Sequence, residues 1–196
     1  MTPREAAIYA KRSYLEPPTI GRVNSGSRAL VVHELEGTVV AFRGSDDLDS
    51  WLHDLNAGTT PVHGLGHIHT GFWDAWVEMA KEVIATACDG RIIFIGHSLG
   101  AALAIIAAAD YATFYHQPIE VWAFEPPKVT CDDEIGALLA SVQIHLYRNG
   151  NDLVTQVPSL LRKWRHPAPL TEIGTPIHPF PNIEDHNILR VIEALS

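Results

Sequence analysis

A chain of 196 residues is long enough for one domain with a substantial buried core. Hydrophobic residues make up 46% and charged residues 19%, the balance of a globular chain and not of a disordered one. With 14 basic against 23 acidic residues the formal charge is −9 and there is no basic run, which argues against nucleic acid and against an anionic lipid surface as a partner.

The first twelve residues contain no apolar stretch of the kind that opens a secretory signal. The longest apolar run, residues 99–109, is about half the roughly 20 residues a membrane span needs. Both features predict a soluble, cytoplasmic protein without a transmembrane segment. Cys88 and Cys131 are too few for a disulfide framework. Cys88 reads as a small apolar residue near a helix end, and a single disulfide stays open.

In chain order, residues 3–14 predict a short helix stopped by Pro17 and Pro18. Residues 28–35 and 38–43 predict two strands around a turn at Glu36 and Gly37; the second is nearly all apolar, as a central strand is. Residues 47–56 allow a short helix, followed by a loop rich in Gly and His over 58–70. Phe72, Trp76, Met79, Val83 and Ala87 recur at helical spacing over 72–88. Residues 91–95 predict a buried strand, 96–100 a tight turn and 99–111 a very apolar, buried helix. A strand at 119–124, a helix at 132–141, a strand at 142–148, a Pro-rich loop over 158–185 and a helix over 186–195 complete the chain. Strands alternating with helices predict an α/β fold with a mainly parallel central sheet, here one domain over 1–196.

Gly96-His97-Ser98-Leu99-Gly100 matches G-x-S-x-G between a predicted strand and a predicted helix. The pattern sets a serine on a sharp strand-to-helix turn with its hydroxyl exposed, and the helix N-terminus offers free N–H groups and partial positive charge to a developing anion.

From about residue 30 onward the chain resembles the class 3 lipases, the group that includes the small fungal triacylglycerol lipases. Gly96-His97-Ser98-Leu99-Gly100-Ala101-Ala102-Leu103 fits that family's elbow. Val40-Ala41-Phe42-Arg43-Gly44-Ser45 resembles its oxyanion strand, Trp51-Leu52-His53-Asp54-Leu55 its W-x-x-D-L, and His69-Thr70-Gly71-Phe72 its H-x-G-F. Phe124-Glu125-Pro126-Pro127-Lys128-Val129 resembles F-G-x-P-R-V, with Glu125 in place of the glycine. Residues 151–158 resemble the segment carrying the catalytic aspartate, which falls on Asp152, and Asp185-His186 resembles the pair carrying the catalytic histidine. The resemblance implies an α/β-hydrolase fold and hydrolysis of acyl esters. The chain is short for the family, and an aromatic residue often found shortly after the Asp-His pair is absent.

A serine hydroxyl needs a base, the base a histidine, and the histidine a carboxylate to fix its tautomer. Ser98, Asp152 and His186 follow the chain order Ser, Asp, His of α/β hydrolases. Asp152 has a plain reading as an Asx-turn residue, and Asp132, Asp133 and Glu134 as acids opening a helix. Among the histidines His178 is the main rival, while His145 and His166 read as structural. The oxyanion donors are the Leu99 N–H, after the nucleophile, and by resemblance the Ser45 N–H, with the Ser45 hydroxyl as a third. Arg43 reads as an ion-pair partner.

Leu48, Trp51, Leu52 and Leu55 share one helical face, so residues 46–57 read either as a small lid or as a helix packed permanently on the core. A lid would bring transient contact with a lipid interface. His63, His67 and His69 allow a zinc reading, but the Gly-rich loop lacks a thiolate and His69 is claimed by H-x-G-F. The sequence therefore points to a lipase or esterase without metal or cofactor. A phospholipase, galactolipase or thioesterase on the same triad is an alternative, as is a catalytically silent lipase-like binding module.

Overall fold

The computed structural model describes residues 1–22, 26–48, 51–52, 58–86, 90–158 and 163–196. Helix α1 (Pro3–Leu15) starts with a capping box: the Glu5 N–H donates to Thr2 Oγ1 and the Thr2 N–H donates to Glu5 Oε2, with Pro3 in the first turn. Strands β1 (Ala29–Glu34) and β2 (Gly37–Phe42) form an antiparallel hairpin. The remaining elements are β3 (Thr59–Val62), β4 (Gly66–His69), α2 (Thr70–Thr86), β5 (Ile92–His97), α3 (Leu99–Phe114), β6 (Ile119–Phe124), α4 (Glu134–Leu138), β7 (Gln143–Asn149), β8 (Leu170–Ile173) and α5 (Ile188–Ala194).

The main sheet runs β1-β2-β5-β6-β7-β8, parallel from β2 onward. Its alternation explains why the central strands are apolar throughout. Val40, Phe42, Ile92, Phe94, Val121 and Ala123 point to the face covered by α2 and α3. Val39, Ala41, Ile93, Ile95, Trp122 and Phe124 point to the other face, where Ala6, Ala7 and Ala10 of α1 and Val191 of α5 meet them. Helix α3 is buried from Gly100 to Ala109, which its unbroken apolar sequence demands. The fold is the mainly parallel α/β architecture expected.

The differences lie in short elements. The 58–70 segment, expected as a loop, contains the hairpin β3–β4, pairing Thr59 with His69 and Val62 with Gly66. Four-residue strands, one of them carrying Pro61, give too little periodicity to read. Within the Pro-rich 158–185 stretch, β8 adds to the sheet edge with Leu170 opposite Leu146. The helix expected over 132–141 is one turn, Glu134–Leu138, followed by a 3₁₀ turn, Leu139–Ser141. No helix among the described residues is long and apolar enough to cross a membrane. Cys131 is a free thiol, and Cys88 lies outside the described residues.

Phe94 stacks against Phe42 and meets the edge of Tyr111, fully buried between sheet and helix. Phe94→Ala should cost about 3–5 kcal/mol of stability, read as a lower urea midpoint with an unchanged slope.

Candidate active site

The turn from β5 into α3 is as tight as G-x-S-x-G requires. A Cβ on Gly96 would lie 2.0 Å from the Gly100 carbonyl oxygen, and one on Gly100 2.3 Å from the Phe42 carbonyl oxygen. Strand and helix backbones therefore touch, and Ser98 is forced to φ 61°. Its N–H donates to the Phe124 carbonyl (3.0 Å), tying the turn to the end of β6. Ser98 Oγ is buried and has no hydrogen-bond partner among the described residues.

Asp152 follows β7 and is fully buried. Its Oδ1 accepts from the Val154 N–H at 2.9 Å, an Asx turn, while its Oδ2 accepts from His186 Nδ1 at 3.0 Å. The turn bond and the bond to His186 use different oxygens of one carboxylate, so the two readings of Asp152 in the sequence do not compete. His186 stands just before α5, whose N-cap is Asn187. With Nδ1 donating to Asp152, Nε2 is the basic nitrogen. It too is buried without a partner among the described residues. Ser98 and His186 line one pocket of about 210 Å³ with Tyr14, Ser45, Leu48, His97, Asn187 and Ile188. The pocket lies at the C-terminal ends of the parallel strands, where open α/β sheets take their ligands. A larger recess of about 600 Å³, with Arg91, Ile119 and Gln143 in its lining, lies at the opposite strand ends.

The rival histidines are occupied elsewhere. His178 pairs with Glu184 (2.7 Å) and stacks on Phe180; His166 bonds the Thr155 carbonyl (2.9 Å); His145 stacks on Trp122. Asp132 holds His67, and Asp133 pairs with Arg165. Arg43 forms the expected ion pair, with Asp46, which Arg28 also contacts.

Leu99 opens α3, so its N–H belongs to the unpaired first turn. Ser45 lines the pocket, but its hydroxyl donates to the Asp47 carbonyl (3.0 Å). This hydroxyl is therefore not aimed at an oxyanion; only the backbone N–H is left for that role. Trp51, whose N–H bonds the Asp47 carbonyl, stacks on Phe72 and packs with Leu99 against the main core. Leu52 is half-buried, and Leu55 lies outside the described residues.

Three polar groups beneath the triad carried no functional assignment in the sequence. Tyr14 Oη meets His97 Nδ1 at 3.0 Å, and His97 Nε2 meets Glu125 Oε2 at 2.8 Å. The His97 ring stacks on His186 at 4.6 Å. Glu125 was legible only as a departure from a glycine, and its φ of 54° shows why glycine suits that position. Burial pushes its carboxyl well above the usual carboxylate range; His186 opposes the shift, and Asp152 and Asp185 add to it.

Among the described residues, His97, Glu125 and His186 are the one group whose ligand atoms lie within 4.8 Å of one another. Those atoms already bond each other or Asp152, so the cluster is a hydrogen-bond network. His63, His67 and His69 do not converge: His67 turns to Asp132, and His69 is buried on Phe72 beside Trp164.

The sequence model described as Lipase (class 3) matches residues 39–161. The chain belongs to the class 3 lipase family. The match spans β2, the elbow and Asp152, and ends before His186. Among curated relatives, the secreted mono- and diacylglycerol lipase A of Penicillium cyclopium is 29% identical over 155 residues, covering 74% of this chain and 51% of the relative. The secreted mono- and diacylglycerol lipase 1 of Fusarium solani is 31% identical, covering 67% of this chain and 42% of the relative. The chain spans about half the length of the curated relatives it matches. The fold is shared with the triacylglyceride lipase of Rhizomucor miehei (TM-score 0.73, 19% identity, 98% of this chain and 95% of that one). It is likewise shared with lipase II of Rhizopus niveus (TM-score 0.74, 18% identity, 93% and 90%).

Burial penalises the charged imidazolium, so His97 and His166 are each lowered to about 4. In a titration followed by NMR, both rings should stay neutral and their signals flat from pH 8 down to about 5.5, moving only as the pH approaches their lowered values.

Proposed function

We propose that the protein is a serine carboxylic-ester hydrolase, a lipase or esterase that cleaves acyl esters such as glycerides through an acyl-enzyme. One observation carries this reading: Ser98 Oγ and His186 Nε2, a nucleophile and a base, are buried beside one pocket, neither with a hydrogen-bond partner among the described residues, while Asp152 fixes the base from behind.

Asp152 holds the proton of His186 on Nδ1, so Nε2 alone can accept one. As Ser98 Oγ bonds to the acyl carbon, its proton passes to Nε2 and charge gathers on the former carbonyl oxygen. The N–H groups of Leu99 and Ser45 stabilise that oxyanion, each worth about 3 kcal/mol in the transition state. The imidazolium then protonates the departing alkoxide. A water molecule, deprotonated by the regenerated base, attacks the acyl-serine and releases the acid. Every proton moves between Ser98, His186, substrate and water, so the scheme calls on no cofactor.

The Penicillium and Fusarium relatives are named for mono- and diacylglycerols, which makes partial glycerides the first substrates to try. Phospholipids, galactolipids and thioesters would use the same groups. Residues 1–196 act in this reading as one catalytic unit, because the pocket draws Tyr14 from α1 and Ile188 from α5 as well as Ser98 from the middle of the chain. Residues 46–57 are read as its lid segment, although 49–50 and 53–57 lie outside the described residues: Leu48 lines the pocket, and Trp51 packs on the core. The expectation of a cytoplasmic protein gains nothing from the relatives, which are named as secreted.

A fluorophosphonate probe should modify Ser98, located by peptide mapping, and the modification should vanish in Ser98→Ala together with hydrolysis of p-nitrophenyl esters and diacylglycerol. A well-folded wild-type protein that takes up no probe, with or without detergent to open a lid, would sink the proposal in favour of a silent binding module.

A further inference from the structure

Glu125 stands at the end of β6, where the family pattern carries glycine. It keeps a glycine-like backbone, φ 54°, and buries its carboxyl completely. Its Oε1 has no hydrogen-bond partner among the described residues. A strained backbone and a buried acid are both unfavourable, and space-filling alone accounts for neither.

Oε2 of Glu125 lies 2.8 Å from His97 Nε2 and 3.5 Å from His186 Nδ1. That Nδ1 is the nitrogen Asp152 Oδ2 meets at 3.0 Å. One imidazole N–H therefore sits between carboxylates from the ends of two adjacent strands. We propose, on the footing that Ser98 and His186 are nucleophile and base, that Glu125 is a second positioning carboxylate for His186. It shares the Nδ1 proton with Asp152 and stabilises the imidazolium formed when Ser98 gives up its proton.

The surroundings are arranged for that role. From β5, neutral His97 donates its Nε2–H to Oε2, and its Nδ1 accepts from Tyr14 of α1. From β7 and the loops before α5, the Asn149 backbone, Asp152 and Asp185 face the carboxyl. When Nε2 of His186 takes the serine proton, the new positive charge favours the ionised carboxylate.

Two consequences follow. Where one carboxylate alone orients the base, its amide variant loses about 10⁴-fold in kcat. Here Asp152→Asn should lose only about 10–100-fold, because Glu125 still accepts the Nδ1–H, and the double variant with Glu125→Gln should fall the full distance. Removing a negative charge beside an imidazolium makes the histidine a weaker base. Glu125→Gln and Glu125→Gly should therefore each move the acid limb of the pH–rate profile down by about half a pH unit or more.

The experiment measures fluorophosphonate labelling and ester hydrolysis from pH 4.5 to 9 for wild type, Glu125→Gln, Glu125→Gly, Asp152→Asn and the Asp152→Asn/Glu125→Gln pair, with thermal melting as the check on folding. Glycine accepts the positive φ without strain, so Glu125→Gly guards against a folding failure of the glutamine variant. A lowered acid limb with a non-additive double variant establishes the second carboxylate. An unmoved limb in variants that fold and label at Ser98, with the full loss already present in Asp152→Asn, overturns it and leaves the serine-hydrolase reading standing. Absence of labelling in wild type removes that reading, and this inference with it.

Discussion

The backbone contact between the end of β5 and the start of α3 is the constraint on which the rest is built. Gly96 and Gly100 leave no room for a Cβ, so the α3 axis lies against the strand that feeds it and against Phe42 of β2. The contact turns Ser98 out of regular geometry and aims the unpaired first turn of α3 at its hydroxyl. It also presses the apolar helix onto the sheet, where both of its sides are buried. Relaxing it would move Ser98, the first turn of α3 and the core together.

Asp152 and His186 arrive from a different part of the chain and are held by polar bonds. Asp185, beside the base, accepts from the Asn151 N–H (2.9 Å), from Asn182 Nδ2 (3.0 Å) and from the Ile177 N–H (3.2 Å). Asn149 at the end of β7 donates to the Asp185 carbonyl, and Asn151 to that of His178. A buried acid satisfied by several donors fixes the loop ahead of α5, which explains how a stretch with little regular structure can hold His186 to Asp152 within hydrogen-bond distance.

Much of this was legible in the residues. The alternating apolar strands and the continuous apolar helix read as what they are, because burial on both faces leaves no polar positions to confuse the pattern. The elbow was legible because its glycines answer a local steric demand. The convergence of Asp152 with His186 followed from chain order and motif, and the structure places them 3.0 Å apart. The features without a sequence signal are short or long-range. The hairpin β3–β4 and strand β8 are four residues each and owe their existence to neighbours, not to periodicity. Tyr14 and His97, though 83 positions apart, bond each other, and nothing local to Tyr14 announces it. The Ser45 hydroxyl, open in the sequence as a third oxyanion donor, turns instead to the backbone carbonyl two residues on.

The backbone at Glu125 separates scaffold from chemistry. A turn that already holds a glycine conformation accepts a carboxylate without any rerouting of β6 or of its register with β7. The number of negative charges around the base thus becomes a property of one side chain and not of the fold. Glycine and glutamate codons differ by a single base, so that number lies one mutational step away in either direction. Exchanging that one side chain changes the charge beside His186 without touching the parts that make the chain fold.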